Sequence, residues 1–322
     1  MDVKKAIQYI LFLIIGLVLL YFASKGVDTQ QIIDSVKEAN WWWIAVSMCL
    51  SYLAMILRGW RWNIILEPTG HRSDHWTNIH AVAFGYCMNN LVPRSGELAR
   101  CVLVNRAEHI PLNILIGNVI LERIVDMMIL GIVVGLTFLI HAEELNALFS
   151  MISGEKGQLL GILAVVGVVG FIVFLFLLKK LRHIKFIDKI AQFIFGIVEG
   201  IKSILKLKKK IAFMVLSFGI WACWLLMAQA MMYAIPITSN MHIGDTLFFM
   251  VAGSFGMLIP TQGGLGAYHF MSKTGFEVLG YTAAAGLTFA WISWVGKTIL
   301  ELVVGAVGFF IVNRYKIKPQ SH

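Results

Sequence analysis

Charged side chains occur inside apolar stretches of this sequence that are long enough to enter a membrane. The segment NNLVPRSGELAR, residues 89–100, places Arg94, Glu97 and Arg100 directly after the apolar run IHAVAFGYCM. A charge at the centre of a bilayer costs about 2.5–3.5 kcal/mol on insertion scales, so intramembrane charges commonly mark functional sites. The planar guanidinium group of arginine matches phosphate geometry, and the segment therefore indicates a site for a phosphate-bearing ligand.

Two other apolar stretches carry charges at helical spacing. Glu122 and Asp126 lie four residues apart with Arg123 between them, and Lys297 and Glu301 have the same spacing. Residues four apart share one face of a helix. The second pair can neutralise itself, but the two carboxylates of the first pair need a cationic partner, which we expect the arginines of the first segment to supply. Such charges could form a substrate path or only lock helices together, and the sequence leaves both roles open.

The composition places the chain among membrane proteins. Its 322 residues are 58% hydrophobic, with a mean hydropathy of +0.78. Repeated apolar runs of roughly 20 residues match the ~30 Å hydrocarbon thickness of a bilayer. We predict an all-α polytopic membrane protein with six full transmembrane helices, at residues 6–23, 41–65, 112–140, 158–178, 211–234 and 283–312. Two shorter stretches, 78–104 and 243–275, are broken by proline and glycine and are predicted to be re-entrant hairpins.

The sequence contains no motif for catalysis or for binding a nucleotide or a metal ion. GxxxxGK[ST], HExxH and a nucleophile elbow are absent, and the four cysteines lack CxxC spacing. We therefore predict no catalytic residue, no metal ion and no cofactor. We attribute the net charge of +9 to the lysines and arginines that set the orientation of the spans and attract anionic headgroups, rather than to binding of nucleic acid.

Lysine and arginine are distributed asymmetrically between the predicted loops. With the N-terminus in the cytoplasm and each hairpin returning to its own side, 19 of the 27 fall on the cytoplasmic side and four outside. The cytoplasmic count includes Arg58 and Arg61, which flank Trp60 and are expected to anchor their span at the inner leaflet. An amphipathic helix at 183–206 is predicted to lie on the same leaflet. Both termini are accordingly placed in the cytoplasm.

The sequence contains a short internal repeat. LVPRSGELA at 91–99 matches LIPTQGGLG at 258–266, and each match is preceded by two predicted spans and followed by one. Three spans are an odd number, so the halves 1–146 and 147–322 should have opposite orientations in the membrane. The first hairpin would then enter from the cytoplasm and the second from outside. Proline and glycine provide the predicted hinges, Pro93, Gly96, Pro260, Gly263, Gly264 and Gly266.

The second hairpin adds polar groups to the candidate site. Its glycines allow close approach of backbone, and Gln262 and His269 are its polar side chains. A lone histidine in such a segment is more often structural than functional. The full set of predicted substrate-binding residues is Arg94, Glu97, Arg100, Glu122, Arg123, Asp126, Gln262, His269, Lys297 and Glu301.

Three motifs, NNLVPRSGELAR, ERIVD and IPTQGGLGAYH, resemble those of the lysylphosphatidylglycerol synthase transmembrane-region family, in the same order and over nearly the whole chain. This family is the flippase-like membrane part of bacterial aminoacyl-phosphatidylglycerol synthases, and the chain resembles its stand-alone form, without the synthase domain. The chain departs from the family at Tyr268-His269, where an acidic residue is common. The resemblance implies a bacterial cytoplasmic membrane and the motif residues Pro93, Arg94, Gly96, Glu97, Arg100, Glu122, Arg123 and Asp126.

The sequence supports three hypotheses about function. The first is a translocator of an anionic phospholipid, an aminoacylated lipid or a polyprenyl-phosphate-linked lipid, whose transport Arg94→Ala or Arg100→Ala should abolish without unfolding the protein. The second is a non-transporting membrane partner of a separately encoded lipid synthase or glycosyltransferase. The third is a lipid-modifying membrane enzyme, although the predicted outer loop at 24–40 lacks the acidic DxD motif common in lipid-linked glycosyltransferases.

Overall fold

The computed structural model describes residues 3–153 and 207–315, and the regular structure of these residues is helical. The helices are α1 Val3–Ser24, α2 Thr29–Lys37, α3 Trp41–Leu66, α4 His75–Leu91, α5 Gly96–Glu108, α6 Leu112–Ile140, α7 Ala142–Ser153, α8 Lys210–Ala234, α9 Ile243–Leu258, α10 Ala267–Val278 and α11 Ala283–Tyr315. Short 3-10 turns follow α3, α8 and α9. The predicted span 158–178 and the predicted amphipathic helix 183–206 lie outside the described residues.

Four of the described helices, α3, α6, α8 and α11, are long and apolar enough to cross a membrane. The count becomes five if α1 and α2, which meet at an angle of 90°, are taken as one span. The predictions for 41–65, 112–140, 211–234 and 283–312 are thus confirmed, and the chain is a multi-pass membrane protein. Six spans and an inverted repeat stay predictions.

The first predicted hairpin is a pair of helices, α4 and α5, separated by the turn 92–95. Pro93 cannot continue the α4 hydrogen-bond ladder, and side chains replace the lost partners. Ser95 Oγ donates to Met88 O at 3.1 Å, and Asn89 Oδ1 accepts from Gly96 N at 2.8 Å. A Cβ on Gly96 would collide with Gly85 O, so this glycine allows α5 to pack against α4. The tip is therefore a turn that side-chain hydrogen bonds hold between two packed helices.

The second predicted hairpin is α9 and α10, joined by the loop 259–266. Three of its glycines have positive φ, at 57° for Gly263, 83° for Gly264 and 75° for Gly266, a backbone region that other residues rarely adopt. A Cβ on Gly256 would lie 3.1 Å from Ala267 O, which shows how closely α9 and α10 approach near the tip. Both broken segments are thus observed, while their re-entrant character stays a prediction.

The loop of the second segment packs between α1 and the tip of the first segment. A Cβ on Gly266 would collide with Gly16 O of α1, and a Cβ on Gly263 would collide with Asn90 Oδ1 at the end of α4. Helix α11 packs along α4 at its own glycines, where Gly305 faces Ala83 O. The polar C-terminal end of α4 therefore lies where the two broken segments and α11 meet.

Candidate functional site

A buried set of ion pairs joins α3 to α6. Arg58 and Arg61 lie three apart on α3, and Glu122 and Asp126 lie four apart on α6, so each pair occupies one face of its helix. Arg58 Nε and Arg61 Nη2 each lie 2.7 Å from Glu122 Oε1. Arg58 Nη2 lies 3.2 Å from Asp126 Oδ2, and Arg61 Nη1 lies 2.8 Å from Asp126 Oδ1. All four side chains are less than a tenth exposed.

Helix α5 adds a third arginine to these carboxylates. Arg100 Nη2 lies 2.5 Å from Glu122 Oε2 and 2.8 Å from Glu97 Oε2, one turn earlier on α5. The Arg100 guanidinium also lies over the ring of Trp62, 4.7 Å from its centroid, in cation–π geometry. The first broken segment is therefore held to the spanning helices by charge as well as by apolar packing.

Arg123 completes the arrangement at its exposed edge. Arg123 Nε lies 3.5 Å from Glu97 Oε1, and Arg123 Nη2 lies 3.3 Å from Asp126 Oδ2. The Arg123 and Glu97 side chains are 40% and 38% exposed, unlike the buried side chains around them. We call this set the arginine cluster, and its members are Arg58, Arg61, Arg100, Arg123, Glu97, Glu122 and Asp126.

The arginine cluster carries an excess of positive charge. Four arginines face three carboxylates, which gives 4 − 3 = +1 with every group ionised. Nε of Arg61, Arg100 and Arg123 is buried and has no hydrogen-bond partner within the described residues. Buried charge without a counter-charge is costly, so a further anion at this site would be stabilised by both charge and hydrogen bonds.

A narrow cleft opens onto the arginine cluster between α4 and α5. Its lining residues are Arg58, Val82, Gly85, Tyr86, Asn89, Gly96, Glu97 and Arg100. The cleft has about 20 Å³ of space, which is enough for roughly one water molecule. The two glycines let the helices approach so closely that the cleft is closed to anything as large as a lipid headgroup.

A second polar group, which we call the polar junction, lies between the two broken segments. It consists of Asn90, Gly263, Trp294, Lys297 and Glu301. Asn90 Nδ2 donates to Glu301 Oε2 at 2.6 Å, and Lys297 Nζ lies 3.6 Å from Glu301 Oε1. Trp294 Nε1 donates to Gly263 O at 2.9 Å, which ties the second loop to α11. The predicted Lys297–Glu301 pair is thus present, with Asn90 as an additional partner of the carboxylate.

One turn of α4 connects the arginine cluster to the polar junction. Tyr86 OH accepts from Arg58 Nη1 at 2.6 Å. The backbone carbonyl of Tyr86 accepts from Asn90 Nδ2 at 3.1 Å, and the same amide nitrogen donates to Glu301. The two charged groups are therefore linked through Tyr86 and Asn90, which lie four residues apart on one helix.

The structure corrects the interpretation of Arg58 and Arg61. The expectation that they anchor α3 at the inner leaflet is wrong, because Arg58 is 5% exposed and Arg61 is fully buried against α6. The cytoplasmic count of lysines and arginines falls accordingly from 19 to 19 − 2 = 17, against four outside. The pair of carboxylates on α6 indicated that cationic partners were needed, and α3 supplies them together with Arg100 of α5.

The two arginines of the first hairpin have different environments. Arg100 pairs with Glu122, so the expectation that an arginine of the first segment partners the α6 carboxylates is confirmed for this residue. Arg94 is an exposed residue at the tip with φ 60°, and it does not line the cleft. Because Arg100 is 3% exposed and paired, Arg100→Ala should lower stability as well as activity, which amends the expectation of a folded variant.

The polar side chains of the second broken segment do not reach the arginine cluster. His269 is fully buried beside Trp291 and Trp294, with ring centroids 4.4 and 5.7 Å away. Neither ring nitrogen of His269 has a hydrogen-bond partner within the described residues. Gln262 is half-buried in the 3-10 turn of the loop. A role of either residue in substrate binding stays a prediction.

Sequence reasoning did not single out Tyr86, Asn90 or Trp294, which make the polar contacts between the broken segments and their neighbours. Asn90 stands in the quoted motif one residue before Leu91, and its position at a helix end inside an apolar stretch was the available signal. Among the described residues, no group of three or more His, Cys, Asp and Glu side chains could hold a metal ion.

Comparison with known proteins identifies the family. The family model described as "Lysylphosphatidylglycerol synthase TM region" matches residues 9–305. No curated protein and no solved structure is significantly similar to the chain. The matched range includes the arginine cluster, the polar junction and both broken segments. The chain therefore belongs to the family of the lysylphosphatidylglycerol synthase transmembrane region.

Proposed function

We propose that the protein is a membrane lipid translocator, which moves an anionic lipid between leaflets and holds the lipid phosphate at the arginine cluster. Family membership supports a role linked to membrane lipids. The observation that carries the proposal is a buried cluster with one more arginine than carboxylates, beside a cleft where a membrane helix is broken. A phospholipid, an aminoacylated phospholipid and a polyprenyl-phosphate-linked lipid share the anionic phosphate that this site would recognise.

The charge balance of the cluster explains why an anion would enter it. Arginines that pair with phosphate through two parallel N–H donors form some of the strongest hydrogen bonds in proteins. Arg100 Nε and Arg123 Nε are buried donors that make no hydrogen bond in the described part of the chain, although Arg123 Nε lies 3.5 Å from Glu97 Oε1. A phosphate oxygen between these two arginines would satisfy both donors.

Glu97 would act as an exchangeable anion. It bridges Arg100 and Arg123, and its side chain is 38% exposed, so water can hydrate the carboxylate when it leaves these arginines. A phosphate that replaces Glu97 exchanges one anion for another rather than adding a new charge to the membrane interior. This exchange would keep headgroup binding weak enough for release, which transport requires.

Transport would require movement of the first broken segment. The cleft has about 20 Å³ of space, which excludes a headgroup as long as α4 and α5 stay packed. A hinge at the turn 92–95 would let α5 move away from α4 and widen the cleft. Hinges of this kind act at element ends, where a few residues absorb the change in backbone angles.

The proposal includes a topology. The protein would lie in the bacterial cytoplasmic membrane with both termini in the cytoplasm and two halves of opposite orientation. The sequence repeat and the charge asymmetry support this arrangement. The contact between Asn90 and Gly263 supports it further, because it brings the tips of the two broken segments together.

Leaflet accessibility in proteoliposomes tests the proposal. Fluorescent lipids with anionic, zwitterionic and aminoacylated headgroups would be compared for wild type, Arg123→Gln and Arg72→Gln. Arg123 lies at the exposed edge of the cluster, so its loss should spare folding and slow transport of the anionic lipid about tenfold. Arg72 is 83% exposed and pairs only with Glu67 among the described residues, so it is the matched control.

Selective movement of anionic lipids that Arg123→Gln slows and Arg72→Gln leaves unchanged would support the translocator. Equal movement by all three folded proteins would contradict the assignment of the phosphate to the cluster. An absence of movement for every lipid would instead favour the role of a membrane partner for a separately encoded synthase or glycosyltransferase.

A further inference from the structure

Helix α5 has two faces of different chemistry. Glu97 and Arg100 point into the arginine cluster. Ser95, just before the helix, and Ala99, Val102 and Arg106 recur at intervals of four, three and four residues, so they form a separate stripe. That stripe lines a groove between α5, α4 and α11. The arginine cluster and the groove thus lie on different sides of the same short helix.

The groove is lined mostly by apolar side chains, and its polar lining residues are Ser95, Arg106 and Asn313. It has about 320 Å³ of space, in the range of pockets that hold small ligands. Phe84 and Phe309 are stacked with their ring centroids 4.9 Å apart and form part of its lining, together with Leu98, which is 55% exposed. Arg106 and Asn313 line the same groove. A mostly apolar groove that is also lined by a cation and an amide is complementary to an acyl chain joined to a phosphate.

The length of the groove matches one leaflet. From Ser95 to Arg106 a helix rises about 16 Å, which is about half of the ~30 Å hydrocarbon thickness. Ser95 lies at the tip of the broken segment, and Arg106 lies in the last turn of α5. Arg106 is exposed and forms no ion pair with any residue that the structure describes. Its guanidinium group is therefore available to a ligand.

We propose that this groove binds one acyl chain of an anionic phospholipid, with the lipid phosphate at Arg106 and Asn313. The inference rests on the proposed function for the role of this lipid as transport substrate, whereas its binding can be measured separately. A lipid in this position has its headgroup at the membrane surface and its chain beside the tip of the broken segment. The groove would thus hold a lipid next to the helix that has to move to open the cleft.

The test is lipid retention by the purified full-length protein, measured by native mass spectrometry with phosphatidylglycerol or phosphatidylcholine added to the detergent micelles. Ala99→Phe should fill the groove, and Ala222→Phe is the matched control, because Ala222 is an exposed alanine on α8 that does not line the groove. Arg106→Gln removes the cation, and Arg72→Gln is its control. Circular dichroism and thermal unfolding would confirm that all four variants fold.

We expect wild type to retain phosphatidylglycerol in preference to phosphatidylcholine. Ala99→Phe and Arg106→Gln should each lower the retention of phosphatidylglycerol about tenfold, the loss expected for a hydrogen bond to a charged group or for a blocked apolar site. The control variants should bind as wild type does. Retention by Ala99→Phe equal to that of Ala222→Phe would overturn the groove as a binding site. Equal retention of the two lipids, or no effect of Arg106→Gln, would overturn the assignment of the phosphate to Arg106.

The outcomes for the groove and for the arginine cluster are separable. Loss of retained lipid in Ala99→Phe, together with no effect of Arg123→Gln on transport, would support the groove and contradict the cluster as the headgroup site. Selective transport that Arg123→Gln slows, together with lipid retention that Ala99→Phe leaves unchanged, would support the translocator and overturn the groove.

Discussion

Arg58 Nε and Arg61 Nη2 both lie 2.7 Å from the same atom, Glu122 Oε1. The other oxygen of this carboxylate is bound by Arg100 Nη2. One fully buried carboxylate therefore holds three arginines that come from α3 and α5. It fixes the first broken segment relative to two spanning helices.

Glu122→Gln should destabilise the protein strongly. Glutamine keeps the shape of the side chain but leaves three buried arginines without their shared counter-charge. Removing one partner from a buried ion pair typically costs about 3–5 kcal/mol, because the remaining charge is left uncompensated. Thermal unfolding in detergent should show a clear decrease in midpoint temperature.

Asp34→Asn is the control for this experiment. Asp34 pairs with Lys37 on the exposed helix α2, where solvent screens the interaction, so its loss should not measurably change the midpoint temperature. Equal midpoints for Glu122→Gln and wild type would show that the arginines are not held together by this carboxylate.

Glu97→Gln should strengthen binding of anionic lipid. The substitution removes the half-exposed carboxylate that pairs with Arg100 and Arg123 and raises the excess charge of the cluster from +1 to +2. We expect the affinity for phosphatidylglycerol to rise several-fold, with a stronger dependence on salt. Titration of lipid into the purified protein, followed by calorimetry, measures this change. Glu143→Gln, on the exposed surface of α7, should bind as wild type does, and a similar rise in that variant would indicate a general effect of net charge.

Gly266→Ala should displace α1 from the second loop. Gly266 has φ 75°, and a Cβ there would collide with Gly16 O and lie 2.9 Å from Leu20 N. Gly280 has a similar φ of 81° but nothing within 4 Å of its Cβ position, so Gly280→Ala reports backbone strain alone, about 1–2 kcal/mol. Thermal unfolding of the two variants should show a larger loss for Gly266→Ala. Equal losses would mean that α1 is not packed against this glycine.

Asn90→Ala should loosen the polar junction. The variant removes the 2.6 Å hydrogen bond to Glu301 and leaves that buried carboxylate with Lys297 at 3.6 Å. An unsatisfied buried group of this kind costs about 1–3 kcal/mol. Hydrogen–deuterium exchange should become faster in the loop 259–266, which packs on Asn90. Asn146→Ala, on the exposed face of α7, serves as control. Unchanged exchange in Asn90→Ala would show that the order of the loop does not depend on its contact with Asn90.

Apolar runs predicted four of the spanning helices well because lipid imposes a length and a composition on each of them. The spans at 112–140 and 211–234 agree closely with α6 and α8. The two breaks were equally visible, since Pro93 and Pro260 remove backbone N–H donors from a helix and the glycines of 263–266 favour a turn after Pro260. Local rules of this kind act within one segment, so one sequence suffices to apply them.

The partners of each charge were harder to predict, because they depend on which helices become neighbours. Arg58 stands beside Trp60, a pattern typical of the membrane surface, and only its contact with α6 shows that it is buried. Asn90 likewise acquires its role from Glu301, 211 residues away. The sequence could not show that His269 packs against the rings of Trp291 and Trp294, and its role in substrate binding stays a prediction.

The short distance along α4 between Tyr86 and Asn90 has a thermodynamic consequence. Tyr86 binds Arg58 at one charged group, and Asn90 binds Glu301 at the other. If a ligand or a proton at one of the two charged groups shifts α4, it changes the binding free energy at the other group. Linkage requires the two effects to be equal, so a ligand that weakens the Asn90–Glu301 contact must itself be bound more tightly when that contact is already broken. One turn of helix would then suffice to make the two charged groups respond as a single cooperative unit.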